Sequence, residues 1–360
     1  MDVAVEFRHV TKSYGRNVIL DGLDLTIQAN TFTVIFGAPA CGKSTVLRLL
    51  TGLEKPDRGE IWMRGQNVTR VAPGQRNIGY VPQSFALYPH YSVFDNIAYP
   101  LKLMGVSGRD AAPVVQRAAD QLKISHLLGK KPEQLSGGEK QRVAIARGIV
   151  KNTNIFVLDD PLTGLDFKLR EQLFDDLSQM RASLGATFIY TTSDALEALM
   201  MAEQVKILDA GQVIEVGDLE TVYAHPQQVR TIKLLGFPEA NLFTGTLDAG
   251  MCHTALFDFR PALKNGSAPA EVQIAVRPQD IKINPPANAA LKTFPADIVL
   301  VEDLGGEMVV YLEAAGLALA SVVRHSDASD LVEGHTTAAI DPTRLFLYAP
   351  EGGNIGQGAH

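Results

Sequence analysis

The chain contains Gly37-Ala38-Pro39-Ala40-Cys41-Gly42-Lys43-Ser44-Thr45, which fits the pattern Gly-x-x-x-x-Gly-Lys-[Ser/Thr]. Loops of this pattern wrap their backbone around phosphate groups. Residues 31–36, just before the loop, are β-branched and aromatic, and they predict a buried strand. Apolar residues recur at helical spacing up to Gly52, and they predict a helix that begins at the loop. Such a unit directs backbone N–H groups and the positive end of a helix dipole toward one point, where a polyphosphate can bind.

Two side chains of the loop carry chemistry. We expect Lys43 to reach the β- and γ-phosphates of a nucleotide and the Ser44 hydroxyl to coordinate Mg²⁺. The alternative is a glycine-rich turn that matches by chance, and the strand and helix on either side argue against it. Ala40 occupies a position where many such loops have glycine, whereas Gly37 and Gly42, which face the phosphates, are present.

Composition excludes several classes of protein. The 360 residues suffice for two or three domains, and 46% hydrophobic with 20% charged residues is typical of a soluble globular protein. A net charge of −7 argues against nucleic acid as the main partner. Two cysteines, Cys41 and Cys252, are too few for a disulfide framework or a metal site and suit a reducing compartment. We find no signal peptide and no run of 18 apolar residues, so the chain is not expected to cross a membrane by itself.

The pattern of strands and helices predicts two domains. Strands alternate with helices through residues 1–236, which predicts a mostly parallel sheet covered by helices. Within it, about 84–150 is helical in pattern and predicts a helical subdomain. Short strands separated by Gly, Pro and Asp turns over 237–350 predict a small OB-like β-barrel or a sandwich. The polar, glycine-rich residues 351–360 predict a flexible tail.

A pair of acids follows a predicted buried strand. Residues 155–158 are apolar and run directly into Asp159 and Asp160. Parallel sheets commonly deliver a Mg²⁺-orienting carboxylate to a phosphate site in this way. A simple turn is the alternative, and the phosphate loop favours function.

Three further features fit a nucleotide site. Residues 136–139, Ser-Gly-Gly-Glu, open a predicted helix and form a second N-terminus that attracts anions, although alone they would indicate only a helix cap. Tyr14 lies on a predicted turn, where its ring is either a packing aromatic or a platform for adenine. Gln83 ends a short predicted strand. If it has no role in the site, its polar amide marks only an ordinary strand end.

Together these residues resemble the ATP-binding subunit of an ABC transporter, and more narrowly the maltose-type ATPases that energise bacterial carbohydrate importers. The resemblance covers essentially the whole chain. It implies the ABC-type P-loop NTPase fold, with ATP and Mg²⁺ as cofactors, followed by a regulatory β-domain to which Arg277-Pro278-Gln279-Asp280 is similar. The site residues that it implies for binding nucleotide or metal are Tyr14, Gly37, Ala38, Pro39, Ala40, Cys41, Gly42, Lys43, Ser44, Thr45, Gln83, Ser136, Gly137, Gly138, Glu139, Asp159 and Asp166 (with Leu165 beside it at the dimer interface).

Two positions depart from the family pattern. The family places Glu immediately after the Mg²⁺-holding Asp, as the residue that polarises the attacking water, and here that residue is Asp160, one methylene shorter. The family also places His where Ser193 stands, in contact with the γ-phosphate. Serine is neutral and shorter, and the loss of one such contact typically costs about 10²- to 10³-fold in rate. With Gln83, these are the predicted catalytic residues, and the resemblance predicts a weakened hydrolytic site.

The family works as head-to-tail dimers, with each ATP between the phosphate loop of one subunit and the signature of the other. Residues 136–139 look like that signature, which normally ends in Gln. Because this signature is intact and the chain's own catalytic positions are altered, we expect a second, fully equipped ATPase subunit as the partner, most simply a different chain.

The resemblance also implies the transport role. We expect an importer of a sugar, polyol, glycerol or glycerol phosphate, at the cytoplasmic face of the inner membrane. A permease would contact the surface formed by Leu87, Tyr88, Pro89 and His90, and an external solute-binding protein would act indirectly. Two alternatives stay open: a fully active homodimeric importer ATPase, and a regulatory protein outside transport that uses ATP as an allosteric ligand.

Overall fold

The computed structural model describes residues 2–151, 153–164, 167–264, 269–286, 290–327 and 331–359. Contacts divide the chain into two compact units, Met1–Leu219 and Glu220–His360. The division falls earlier than the sequence-based boundary after residue 236, because the short helices that follow Leu219 belong with the second unit.

The first unit contains two sheets. Its strands are β1 (Val3–Tyr14), β2 (Asn17–Gln28), β3 (Phe32–Phe36), β4 (Arg58–Met63), β5 (Gln66–Asn67), β6 (Gly79–Val81), β7 (Ile155–Asp159), β8 (Thr187–Thr192), β9 (Gln204–Asp209) and β10 (Gln212–Asp218). One sheet is antiparallel, in the order β2-β1-β4-β5. The other has the order β10-β9-β3-β8-β7-β6, and all its pairs are parallel except β10 with β9.

The described residues of this unit also form six α-helices. They are α1 (Lys43–Thr51), α2 (Val93–Leu103), α3 (Gly108–Gln121), α4 (Gly137–Ile149), α5 (Phe167–Leu184) and α6 (Ala195–Met201). The helices α2, α3 and α4 lie within the segment 84–150, where the sequence predicts helices.

The core of the first unit holds α1 between the two sheets. Val46, Leu47, Leu49 and Leu50 of α1 are each 0% exposed and belong to one apolar cluster with residues of both sheets. Full burial of an aliphatic side chain contributes about 1.5–3 kcal/mol, so this face anchors the helix firmly. The apolar residues that predict the helix are the ones that hold it, and the loop before α1 is thereby fixed against the parallel sheet.

The second unit is largely β-structure and begins with two short helices. These helices are α7 (Leu219–Ala224) and α8 (Val229–Leu234). The strands are β11 (Asn241–Asp248), β12 (Met251–Thr254), β13 (Arg260–Leu263), β14 (Glu271–Val276), β15 (Ile281–Ile283), β16 (Lys292–Asp303), β17 (Glu307–Ala314), β18 (Leu317–Arg324), β19 (Gly334–Ile340), β20 (Phe346–Tyr348) and β21 (Asn354–Ala359). They form two sheets, β12-β11-β14-β20-β21-β13 and β15-β19-β16-β17-β18, with antiparallel pairs. The expected all-β architecture is confirmed.

The prediction of a flexible tail over residues 351–360 is wrong. Residues Asn354–Ala359 form β21, which pairs with β13 on one side and β20 on the other. Its glycines are the reason, because a Cβ on Gly358 would lie 1.9 Å from the Pro342 carbonyl oxygen and one on Gly356 would lie 2.4 Å from that of Ala262. A composition that usually signals disorder here permits close backbone packing.

Candidate nucleotide-binding site

The helix α1 begins with free backbone N–H groups. Its first residue is Lys43, its N-cap is Gly42, and the first intrahelical bond in this region runs from Val46 N to Gly42 O. Among the described residues, no side chain caps this terminus, and the first turn contains no acid. An uncapped terminus leaves its donors available to an anion and keeps the positive end of the dipole uncompensated.

The loop geometry explains both of its glycines and exposes a cost at Ala40. A Cβ at Gly37 would lie 2.1 Å from the Leu208 carbonyl oxygen, so only glycine fits there. Gly42 has φ 111°, a value that favours glycine. Ala40 has φ 64°, in the left-handed region. The sequence identified Ala40 as the unusual residue, and the structure shows that it carries backbone strain where glycine would not.

The Lys43 side chain lies inside the loop. Its Nζ donates to the carbonyl oxygens of Gly37 at 2.7 Å and Ala38 at 3.0 Å, and the residue is only 8% exposed. The ammonium is therefore held within the loop by two backbone carbonyl groups.

Asp159 connects the loop to the parallel sheet. It ends β7, and its Oδ1 accepts hydrogen bonds from Ser44 Oγ at 3.1 Å and from Thr191 Oγ1 at 3.0 Å. Burial raises the pKa of the Asp159 carboxyl. A carboxylate beside a hydroxyl at the edge of a phosphate loop is a donor set that suits Mg²⁺, which typically takes one or two carboxylates together with substrate phosphates and water. Ser44 and Asp159 are therefore chemically suited to hold the ion.

Asp160, one of the two positions that depart from the family pattern, directly follows Asp159 and lies beside Gln83. Asp160 follows β7 with φ 46°, and its N–H donates to Thr191 O at 3.1 Å. Gln83 Nε2 lies 3.5 Å from Asp160 Oδ2, at the limit of a hydrogen bond. Left-handed backbone is tolerated better by Asp than by most residues, so the conformation and the residue type agree.

Together these groups form one pocket of about 340 Å³. It is lined by Tyr14, Ile19, Pro39, Ala40, Gly42, Lys43, Ser44, Thr45, Gln83, Asp159, Asp160 and Ser193. Residues from six separated parts of the sequence thus converge, among them Ile19, which the sequence did not indicate, whereas Gly37, Ala38 and Cys41 are not among the lining residues. The roles assigned to each stay predictions.

Tyr14 lies at the edge of this pocket. It is 42% exposed, its hydroxyl donates to a Glu54 carboxylate oxygen, and the Lys12 ammonium lies 5.3 Å from its ring centroid. The ring is therefore fixed in orientation yet accessible, as a platform for a planar base would be.

The predicted signature forms the N-terminus of α4, and its residues are not among those that line the pocket. Ser136 Oγ accepts from Glu139 N at 3.3 Å, and Glu139 Oε2 accepts from Ser136 N at 2.7 Å, a reciprocal capping box. The bond from the Ser136 backbone lowers the pKa of Glu139. A Cβ at Gly138 would lie 2.0 Å from Leu169 Cδ2, whereas one at Gly137 would meet no described atom within 4 Å. Gly137 thus presents an open surface.

Sequence reasoning missed two residues that shape the site. Thr191 holds both Asp159 and the backbone of Asp160, and Glu54 holds Tyr14. Thr191 is detectable only from the register of β7 with β8, which pairs it with Asp159. Leu165 and Asp166, which the resemblance places at a dimer interface, lie outside the described residues.

The fold and the pocket define a P-loop ATPase of the ABC class. Comparison with known families agrees: residues 20–163 match the ABC transporter family, and residues 274–342 match the TOBE domain. The chain is 34% identical to the maltose/maltodextrin import ATP-binding protein of Photorhabdus laumondii over 362 residues, covering 97% of this chain and 96% of that protein. The corresponding protein of Vibrio cholerae is also 34% identical, over 97% and 95% of the two chains. This chain belongs to the maltose-type family of ABC transporter ATP-binding proteins.

Solved structures resemble part of the chain. One is the dimeric ATP-binding cassette MJ0796 in a post-hydrolysis state with ADP and phosphate, with a TM-score of 0.55, 29% identity, and coverage of 60% of this chain and 98% of that one. Another is cbiO1 of Clostridium perfringens, part of the ABC transporter complex cbiONQ, with a TM-score of 0.58, 27% identity, and coverage of 62% and 92%. Among the described residues, no helix is long and apolar enough to span a membrane.

Proposed function

We propose that this chain is the ATP-binding subunit of an importer for a carbohydrate-like solute, located at the cytoplasmic face of the inner membrane through a permease. The observation that carries the proposal is the 34% identity over 97% of the chain to proteins named for maltose/maltodextrin import. The pocket supports it, since the uncapped α1, Lys43 and the Ser44–Asp159 pair supply a phosphate and Mg²⁺ site.

In this proposal the chain's own residues divide the work. Backbone amides from Gly42 to Thr45 and the Lys43 ammonium bind the phosphates, and Tyr14 supports the base. Ser44 and Asp159 would hold Mg²⁺, which would neutralise phosphate charge when bound. Gln83 and Asp160 face the position of the attacking water. ATP binding drives closure of a dimer because ATP has a higher affinity for the closed state.

The finer proposal is that hydrolysis at this pocket is weak. Asp160 is shorter than glutamate, its contact with Gln83 is 3.5 Å long, and Ser193 supplies no positive charge at the pocket wall. A site without a well-placed base and cation stabilises the transition state less. We therefore propose a second ATPase subunit as the partner, whose active site this chain's Ser136-Gly137-Gly138 would close.

The composition of the native complex tests these proposals. The tagged chain is purified from membranes of its own organism in mild detergent, and the co-purifying subunits are identified by mass spectrometry. We expect permease subunits and one further ATPase chain that has Glu and His at the positions of Asp160 and Ser193. Recovery of permease with this chain as the sole ATPase would contradict the heteromeric part, and the absence of any permease would contradict the transport role.

A further inference from the structure

A strained bend lies between the pocket and the predicted permease surface. The segment runs from Gln83, which lines the pocket, to Tyr88 on the surface that we assign to the permease. Between them, Phe85 has φ 56° and Ala86 has φ 47°. Left-handed backbone is costly for residues with a Cβ, and two such residues in succession do not persist unless their surroundings hold them.

A single side chain holds both strained residues. Arg147 Nη2 donates to the Phe85 carbonyl oxygen at 2.7 Å, and its Nη1 donates to that of Ala86 at 2.6 Å. The guanidinium carbon also lies 5.5 Å from the centroid of the Tyr88 ring. The planar fork of arginine suits two adjacent acceptors, which a lysine ammonium does not match in geometry.

Arg147 is bound by these carbonyls and not by an acid. Within the described part of the chain, no carboxylate forms an ion pair with it, and burial lowers the pKa of its guanidinium. Hydrogen bonds from a charged donor are stronger than neutral ones, which makes the two carbonyls its principal partners.

The two hydrogen bonds from Arg147 to Phe85 and Ala86, called the clamp below, come from the helix that begins at the signature. Arg147 lies in the last turn of α4, and Ser136 caps the first. One unbroken helix from Gly137 to Ile149 therefore connects the capped end with Arg147, and most of its residues are buried. On the far side of the bend, Asn96 of α2 accepts from Tyr88 N at 2.8 Å and donates to the carbonyl oxygens of Tyr88 and Ser92 at 3.1 and 3.0 Å. The segment is thus attached to α4 at the bend and to α2 beyond it.

We propose that Arg147 is a positioning residue that fastens the bend at Phe85–Ala86 to α4, so that movement of the signature helix reaches both Gln83 and the permease surface. The proposal rests on the proposed transport function. It predicts that loss of the clamp uncouples the permease from the ATPase while the nucleotide pocket, which Arg147 does not line, keeps its affinity for ATP.

The test uses the full chain assembled with its co-purified partners in lipid nanodiscs. Two quantities are measured: the factor by which the permease raises ATP hydrolysis, and the dissociation constant of ATP for the free chain. For Arg147→Met we expect the stimulation factor to fall by about tenfold, the effect of losing a hydrogen bond to a charged group, and the dissociation constant to change by less than about twofold. Arg117→Met, which removes an exposed arginine of α3, is the matched control and is expected to leave both unchanged.

A second substitution separates coupling from a general structural role. Glycine adopts left-handed backbone without strain but forms no link to α4, so Ala86→Gly in the Arg147→Met background relieves the bend without restoring its attachment and is expected not to recover the stimulation. Arg147→Lys, which keeps the charge and can reach one carbonyl, is expected to be intermediate and serves if Arg147→Met fails to fold. Undiminished stimulation or an equal loss of ATP affinity in Arg147→Met would overturn the proposal, and so would full recovery with Ala86→Gly, which would show that the conformation of the bend and not its attachment to α4 matters. If the wild-type chain itself is not stimulated by a permease, the proposed function fails first, and the role of Arg147 fails with it.

Discussion

At the scale of single residues, the residue types that build the pocket can be predicted from the sequence. Their backbone conformations and their contacts cannot. Lys43, Ser44 and Asp159 stand where their motifs predict, because short patterns of glycine, apolar residues and acids determine strand ends and helix starts locally. The left-handed backbone at Asp160 and the bonds of Thr191 depend on neighbours in space, and no local pattern in the sequence indicates them.

Ala40 provides a test of strain in the loop. Its φ of 64° is one that glycine adopts freely, so Ala40→Gly is expected to stabilise the first unit by up to about 1 kcal/mol, or a rise of about 2 °C in its Tm. Calorimetry of the full chain measures it, with Gly74→Ala, at a site with open space, as a control. An unchanged or lower Tm would show that the strain is compensated elsewhere.

At the scale of secondary structure, α4 shows how adjacent glycines differ. Gly138→Ala is expected to lower the Tm of the first unit by several degrees, since its Cβ would lie 2.0 Å from Leu169 Cδ2 and overpacking typically costs about 1–3 kcal/mol. Gly137→Ala meets open space and is expected to preserve or raise the Tm. If Gly137 faces a partner's nucleotide as proposed, the same variant lowers ATPase activity of the complex. A stable and fully active Gly137→Ala complex would contradict that placement.

The capping box of α4 predicts a pH dependence. The pKa of Glu139 is lowered from 4.5, so its stabilisation is present above about pH 4.5 and is lost as the pH falls through the lower value in the folded protein. Glu139→Gln is expected to lower stability near pH 7 by about 0.5 kcal/mol, the value of a negative charge in a first helical turn, and the difference should narrow in acid. Thermal unfolding from pH 7 to 3.5 measures the difference. A gap that does not depend on pH would show that the charge plays no part.

The sequence predicts elements well where the pattern is local. The helix after the phosphate loop ends at Thr51 with Gly52 as its C-cap, as its apolar spacing and that glycine indicate. The bend at Phe85–Ala86 escaped prediction because neither residue favours left-handed backbone, and its partner Arg147 is about sixty residues away in the sequence.

At the scale of the whole molecule, the sequence pattern predicts the architecture of both units correctly. It predicts the structure of the last residues, 351–360, wrongly. Alternating strands and helices indicate the parallel sheet, and short strands between turns indicate the β-structure of the second unit. The last strand was missed because its stability comes from β13 and β20, which pair with it from elsewhere in the chain.

Removal of residues 354–360 tests the role of β21. A flexible tail could be removed without cost, whereas loss of a strand that pairs on both sides is expected to lower the Tm of the second unit by at least about 5 °C. Gly358→Ala, whose Cβ would lie 1.9 Å from Pro342 O, should act in the same direction without deletion. Unchanged calorimetric transitions in both variants would contradict the pairing.

The central claim is that this chain binds ATP at a pocket that hydrolyses it poorly. The most direct measurement is the steady-state ATPase rate of the purified chain beside Asp160→Glu, Ser193→His and the double variant, each at saturating MgATP. Glutamate is less well suited than aspartate to the φ of 46° at position 160. Ser193→His leaves that position unchanged and therefore tests the account independently. We predict slow hydrolysis by the wild-type chain and a rise of about 10²-fold or more in the double variant, as a restored electrostatic contact supplies. A wild-type rate in the ordinary enzyme range of about 1–10³ s⁻¹, with no gain in any variant, would contradict the account.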